Sequence, residues 1–286
     1  MNILKRGWQV MLLSSVLLMG SAQASLLWKI TSDELPQPSY LFGTIHLICE
    51  QDFFMDERIE TALAESDALV KEIDLSSPEI MLRLQQLMVN TGGPYLQEYL
   101  SADQLAVIDE YFTENFGAGL AQLGVLKPLA LSSMVLTAGL PCTDIKSYEM
   151  ELADLADQHD LAILELESVD FQMQIFDDIP LEDQVAWLWQ GIAEEQESQR
   201  VFQTMVDAYV AEDLDKLLEA MRQDPQMMEY FDVLLNERNH NWIAPIREMI
   251  HAQQVFIAVG AGHLPGEQGV IRLLEEAGYT VEPVTR

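Results

Sequence analysis

The sequence predicts a mixed α/β fold, a central sheet of short strands covered by two large helical insertions. Three observations predict it. Short runs rich in Val, Ile, Leu and aromatics, bounded by Gly, Pro, Asp or Ser, read as strands at Leu26–Thr31, Tyr40–His46, Ala68–Asp74, Leu161–Glu165, Val255–Val259 and Tyr279–Pro283. Between them, over residues 74–161 and 168–254, apolar residues recur at three and four, as in Ile80, Leu82, Leu84, Leu87 and Met88. Strand-like runs therefore lie at both ends of the chain and in its middle. That order fits one α/β domain over residues 25–286 better than two in tandem.

In chain order, Asp33-Glu34-Leu35-Pro36-Gln37-Pro38 is turn chemistry that joins the first two strands as a hairpin. Ser77-Pro78 and Ser168 are helix starts, and Pro128, Pro180 and Pro225 divide the helical stretches. The run Gln226-Met227-Met228 reads as core filling or as an adaptable binding surface.

The first 24 residues read as a cleavable secretory leader. Lys5 and Arg6 precede an apolar core, and Ala22-Gln23-Ala24 ends it with small residues where a signal peptidase cuts. The core is shorter than the roughly 20 residues of a spanning helix. The expectation is a periplasmic or secreted chain with no stable membrane insertion after cleavage. No Cys follows the leader to carry a lipid.

Removing Lys5 and Arg6 leaves 13 basic residues against 47 acidic ones, a net charge of −34. Such a surface repels nucleic acid and anionic lipid, which excludes those partners, and it attracts cations. An acidic, solvated surface explains most of it. The two cysteines, Cys49 and Cys142, either form one bridge, which an oxidising compartment would preserve, or remain two buried thiols.

Of five histidines, two share a setting. Gly43-Thr44-Ile45-His46 and Gly260-Ala261-Gly262-His263 each follow an apolar strand directly. Ligand sites in open α/β sheets lie beyond the carboxyl ends of strands, so His46 and His263 can converge across the chain. The glycines there allow close approach of backbone or ligand. His159 reads as a helix-end residue, and His240 and His251 as exposed positions on a late helix. Glu72 ends another strand. Alternation places it on one face with Val70 and Asp74, so it needs a buried partner, a metal or a catalytic role. Glu165 and Glu167 also share a face, and one of them is expected in the site. Arg238, in Glu237-Arg238-Asn239-His240-Asn241-Trp242, has a guanidinium shaped for a substrate carboxylate or an oxyanion, unless that helix face is merely solvated.

These residues resemble a family. Tyr40-Leu41-Phe42-Gly43-Thr44-Ile45-His46, the strand ending in Glu72, the Arg238-Asn239…Trp242 cluster and the closing His263-Leu264-Pro265-Gly266-Glu267 look like the TraB/GumN family, which includes Tiki-type proteases. The closing motif is the most specific, and the resemblance spans nearly all of residues 25–286. It implies a metal-dependent hydrolase, a peptidase acting on peptide or small-molecule substrates. His46, His263 and Glu72 would hold a divalent ion (Zn, Mn or Co), and Glu149, Glu165 or Glu167 would serve as base if Glu72 is a ligand. The family is also distantly similar to erythromycin-esterase-type hydrolases. That second reading needs no metal: His46 activates water or a substrate hydroxyl, Glu72 orients it, and His263 or Arg238 steadies negative charge. A third reading is an extracytoplasmic protein that binds a peptide or signal without cleaving it.

Overall fold

A computed structural model describes residues 25–93, 95–224 and 228–286. The leader, Pro225 and Gln226-Met227 lie outside the described residues.

Six strands form the central sheet: β1 (Leu27–Thr31), β2 (Ser39–Thr44), β4 (Ala68–Lys71), β6 (Ala162–Glu165), β7 (Val255–Gly260) and β8 (Thr280–Pro283). Their spatial order is β6-β4-β7-β2-β1-β8. The first four are mutually parallel, and β1 runs antiparallel to both β2 and β8. The β1–β2 pairing is the hairpin the turn residues predict. Every residue of β2 and of β4 is buried, as is β7 up to Val259. Strands covered on both faces read as continuous apolar runs rather than alternating ones, which is why they are legible in the sequence. A second, two-stranded ribbon pairs β3 (Ile48–Cys49) with β5 (Ile145–Lys146), and the sequence reading does not contain it. Cys49 of that ribbon forms a disulfide with Cys142.

The helices are α1 (Glu57–Ala64), α2 (Pro78–Leu87), α3 (Leu96–Tyr99), α4 (Ala102–Phe116), α5 (Leu120–Leu123), α6 (Pro128–Ala138), α7 (Tyr148–Gln158), α8 (Val169–Asp177), α9 (Leu181–Ala193), α10 (Glu195–Val210), α11 (Leu214–Arg222), α12 (Glu237–Ala252) and α13 (Val270–Glu276). Ser77 and Ser168 cap α2 and α8, each accepting a hydrogen bond from a backbone N–H of the first turn. Pro128 opens α6, and Pro180 precedes α9.

The main core lies around the sheet. Phe42, Phe256 and Ile257 pack with Tyr148 of α7, Tyr209 of α10, and Trp242 and Ile246 of α12. The helical segments do not all lie on the sheet. Ile108 and Phe112 of α4, Leu131 and Val135 of α6, and Val185 and Leu188 of α9 build a second core of their own. Both insertions contribute to this lobe. Among the described residues, no helix is long and apolar enough to cross a membrane.

Two strand ends differ from the sequence reading. β2 stops at Thr44, two residues before His46, and β4 stops at Lys71. Glu72 therefore sits just past its strand. The chain turns there, and the Asp74 carboxylate returns to accept from the buried Lys71 ammonium at 3.0 Å and from Ser76, so Asp74 does not share the Glu72 face.

Candidate active site

All four parallel strands deliver a side chain at the same edge of the sheet. Glu72 follows β4, Glu167 follows β6, His263 follows β7 in a 3-10 turn at Ala261–His263, and His46 follows β2. Gly43 makes this convergence close. A Cβ there would lie 3.0 Å from both Cα and Cβ of Ala261.

Arg238 organises the floor of the site. It stands at the start of α12, just after a π-helical turn at Asp232–Asn236. The widened turn leaves the Leu234 carbonyl to accept from Arg238 Nη1 at 3.0 Å. Nη2 donates to Glu72 Oε2 at 2.6 Å and to Glu167 Oε1 at 2.5 Å. Nε donates to Glu167 at 3.1 Å, and the other Nη1 hydrogen reaches His263 Nε2 at 3.2 Å. All five guanidinium hydrogens are thus committed to protein acceptors. Arg238 fixes the site and has no donor left for a substrate carboxylate or an oxyanion, which corrects the role its shape suggested.

The remaining contacts complete a satisfied buried network. Trp242 Nε1 donates to Glu167 Oε2 at 3.1 Å, and the Trp242 ring lies against both His263 and the Arg238 guanidinium. Gln172 of α8 donates to Glu72 and to Glu167. Gly260 N–H donates to Glu72 Oε1 at 2.8 Å. His263 Nδ1 lies 2.6 Å from Asn239 Oδ1. Because that oxygen can only accept, Nδ1 carries the proton and Nε2 presents its lone pair to Arg238. Nε2 is 3.9 Å from Glu72 Oε1.

Burial takes the charge off His263. With repulsion from Arg238 and His46 added, its pKa falls to about 3 despite the attraction of Glu72. Burial alone would raise the Glu72 carboxyl. Neighbouring positive charge reverses that, from His263 when it is protonated and from Arg238 at every pH, with help from the Gly260 N–H. Glu72 therefore stays ionised, and His263 neutral, across the physiological range.

His46 stands apart from this floor but faces the same cavity. Its Nδ1 lies 2.7 Å from Glu149 Oε1, the first-turn carboxylate of α7. Thr44 and Ser147 hydroxyls also donate to Glu149. The hydrogen bond to Glu149 raises the His46 pKa. The ring is 73% exposed to the solvent of the cleft, which screens the pair. The cavity spans about 330 Å³ and is polar at this floor and apolar above it, where Phe202, Met205, Leu217, Met221, Leu234 and Leu235 face inward.

The structure thus brings together His46, Glu72, Arg238 and His263 around one cavity, and Glu167 and Glu149 behind them. Of the two carboxylates after β6, Glu167 enters the network. Glu165 is exposed and accepts from the Asp74 backbone N–H instead. His159 ends α7, and His240 and His251 are exposed. Sequence reasoning missed Gln172 and the role of Asn239. The available signal for Gln172 was a glutamine one turn into a helix that starts at a strand's carboxyl end.

A metal bound by His46, His263 and Glu72 does not fit this placement. Among the described residues, no group of three or more His, Cys, Asp or Glu side chains is disposed to hold an ion. The Arg238 guanidinium already occupies the Glu72 Oε2 and His263 Nε2 lone pairs that an ion would use, and it would repel one.

The profile of the TraB/PrgY/gumN family matches residues 26–283, nearly all of the described chain. The chain belongs to this family. A curated relative, Metalloprotease TIKI1 of Xenopus tropicalis, is 24% identical over an alignment that covers 90% of this chain and 61% of the relative. The chain thus spans less than two thirds of that relative's length. No solved structure matches the chain significantly. The TraB/PrgY/gumN match takes in both Gly-x-x-His strand ends and the Arg238 cluster, so the floor described above lies within the family's own span.

Proposed function

We propose that the chain is a hydrolase that cleaves amide bonds of peptides outside the cytoplasm. One observation carries the reading: His46, Glu72 and His263, delivered by three parallel strand ends, face one cavity, with an acid–base group at its rim and a fixed negative charge at its floor. Membership of a family that contains a relative named a metalloprotease supports it.

Glu149 holds the Nδ1–H of His46, which leaves Nε2 to take a proton from a water in the cleft. A buried carboxylate that orients an imidazole in this way also stabilises the imidazolium that forms. Glu72 Oε1 orients the water by accepting from it. His46 then returns the proton to the leaving nitrogen. Arg238, with every hydrogen engaged, holds Glu72 in place together with Gln172 and the Gly260 N–H, and Asn239 locks neutral His263 beside them. Removal of residues 1–24 and work in an oxidising compartment belong to the same reading, and the Cys49–Cys142 disulfide supports them.

A second reading is metal-dependent hydrolysis, which would require Arg238 to release His263 Nε2. One observation favours it: both histidines have Nδ1 engaged, by Glu149 and by Asn239, the arrangement usual behind metal-ligating rings.

The test is an internally quenched peptide library incubated with the 25–286 chain. Turnover that is lost in His46→Asn and in Glu72→Gln, with circular dichroism unchanged, supports the proposal. A library left intact by wild-type protein sinks it and leaves peptide binding as the surviving function.

A further inference from the structure

A second cavity, of about 400 Å³, lies between α6, α9 and α10. Val135, Leu136, Trp187 and Leu188 form its apolar lining. Phe202 of α10 faces both this chamber and the catalytic cavity, so the two adjoin across one side chain. A volume of this size is that of a ligand pocket rather than a packing fault, since such pockets start at roughly 300 Å³.

Two glycines face the chamber, and neither is required by the backbone. Gly139 has φ −76°, and Gly191 lies inside helix α9 with no left-handed φ. Glycine weakens a helix interior relative to alanine. A Cβ at Gly191 would meet only Val135 Cγ1, at an ordinary 3.5 Å, and at Gly139 nothing nearer than 3.4 Å. Packing tolerates alanine at both positions, and what the glycines do is leave the chamber open.

Its rim identifies the occupant. Gln196, Gln199 and Gln203 lie on one face of α10 along the chamber. Gln199 and Gln203 each spend one N–H on a carboxylate of their own helix, Glu195 and Asp207, and keep a second N–H and the oxygen. An amide that both donates and accepts matches a peptide backbone and is wasted on an acyl chain. A net charge of −32 over the whole chain disfavours an acidic peptide. Phe202 and Tyr209 both face the catalytic cavity and lie two turns apart on α10, roughly 10 Å, and Tyr209 marks the catalytic end because its hydroxyl donates to the Gly43 carbonyl, where the turn carrying His46 begins. An extended peptide covers that span in about three residues.

We propose that this chamber is a specificity subsite that receives a bulky apolar side chain about three residues from the scissile bond of a neutral or basic peptide. It rests on the peptide-hydrolase reading of the adjoining cleft.

The test uses Gly191→Leu, which fills the chamber from α9, and Gly139→Leu, which fills it from α6 should the first variant not fold. Two readouts are needed. N-acetyl-tryptophanamide binding, followed by saturation-transfer NMR, requires no catalysis. The ratio of kcat/KM for peptides with Phe against Ala at the third position from the cut reads specificity. The proposal expects the probe to bind wild type and not the filled variants, and the Phe/Ala ratio to fall roughly tenfold or more, through KM, as for one apolar group in a pocket. A probe that fails to bind wild type, or binds the filled variants equally, overturns it. If no peptide is cleaved yet probe binding still distinguishes the variants, the hydrolase reading fails and with it the placement relative to a scissile bond, and the chamber stands as a pocket for an apolar side chain.

Discussion

Arg238 shows how much one residue can hold. It is buried with two carboxylates, Glu72 and Glu167, and removing one partner of such a group leaves uncompensated charge in a poorly solvated place. Arg238→Ala should therefore destabilise the fold by about 3–5 kcal/mol, measured by urea unfolding. The same network makes stability acid-sensitive. Glu72 has a folded pKa below its unfolded value, so its contribution is complete above the ordinary carboxylate range and is lost as pH falls through the folded value. His46 is shifted the other way, upward, and its effect on catalysis also grows with pH. It must be neutral to accept a proton, and Glu149 raises its pKa, so the rate should climb with pH through that raised value. Glu149→Gln should move the rising limb of the pH–rate profile to lower pH. An unmoved limb would remove Glu149 from the mechanism.

At the scale of elements, the site depends on strand ends meeting closely and on the ribbon beside them. Gly43→Ala would press a methyl against Ala261 backbone and Leu264, and overpacking of this kind costs about 1–3 kcal/mol. The loss should appear in thermal melts. The Cys49–Cys142 bridge closes a separation of 93 residues and flanks the β3–β5 pairing that follows His46 and precedes Glu149. Cys142→Ser should cost about 2–4 kcal/mol. The buried parallel strands were legible because both their faces are apolar, and His46, Glu72 and His263 were legible because they follow those strands directly. Their partners were not. Asn239 and Gln172 act through contacts between elements far apart in sequence, and the commitment of every Arg238 hydrogen follows from three-dimensional placement alone. The separate helical core was equally hidden, since the apolar spacing of α4, α6 and α9 is the same whether a helix faces the sheet or its neighbours.

For the whole molecule, a net charge of −32 sets the field in which any substrate arrives. Association of a basic peptide should slow as salt rises, and that of an acidic peptide should quicken, with kcat/KM following both trends. The central claim is that this chain hydrolyses peptides with its own acid–base groups, on a floor where Arg238 holds the Glu72 charge in place. The most direct measurement is peptide cleavage by protein freed of metal by exhaustive chelation, with metal content verified. Cleavage that persists, and is lost in His46→Asn, is the predicted result. Cleavage that disappears with the metal and returns when Zn, Mn or Co is added would contradict the account.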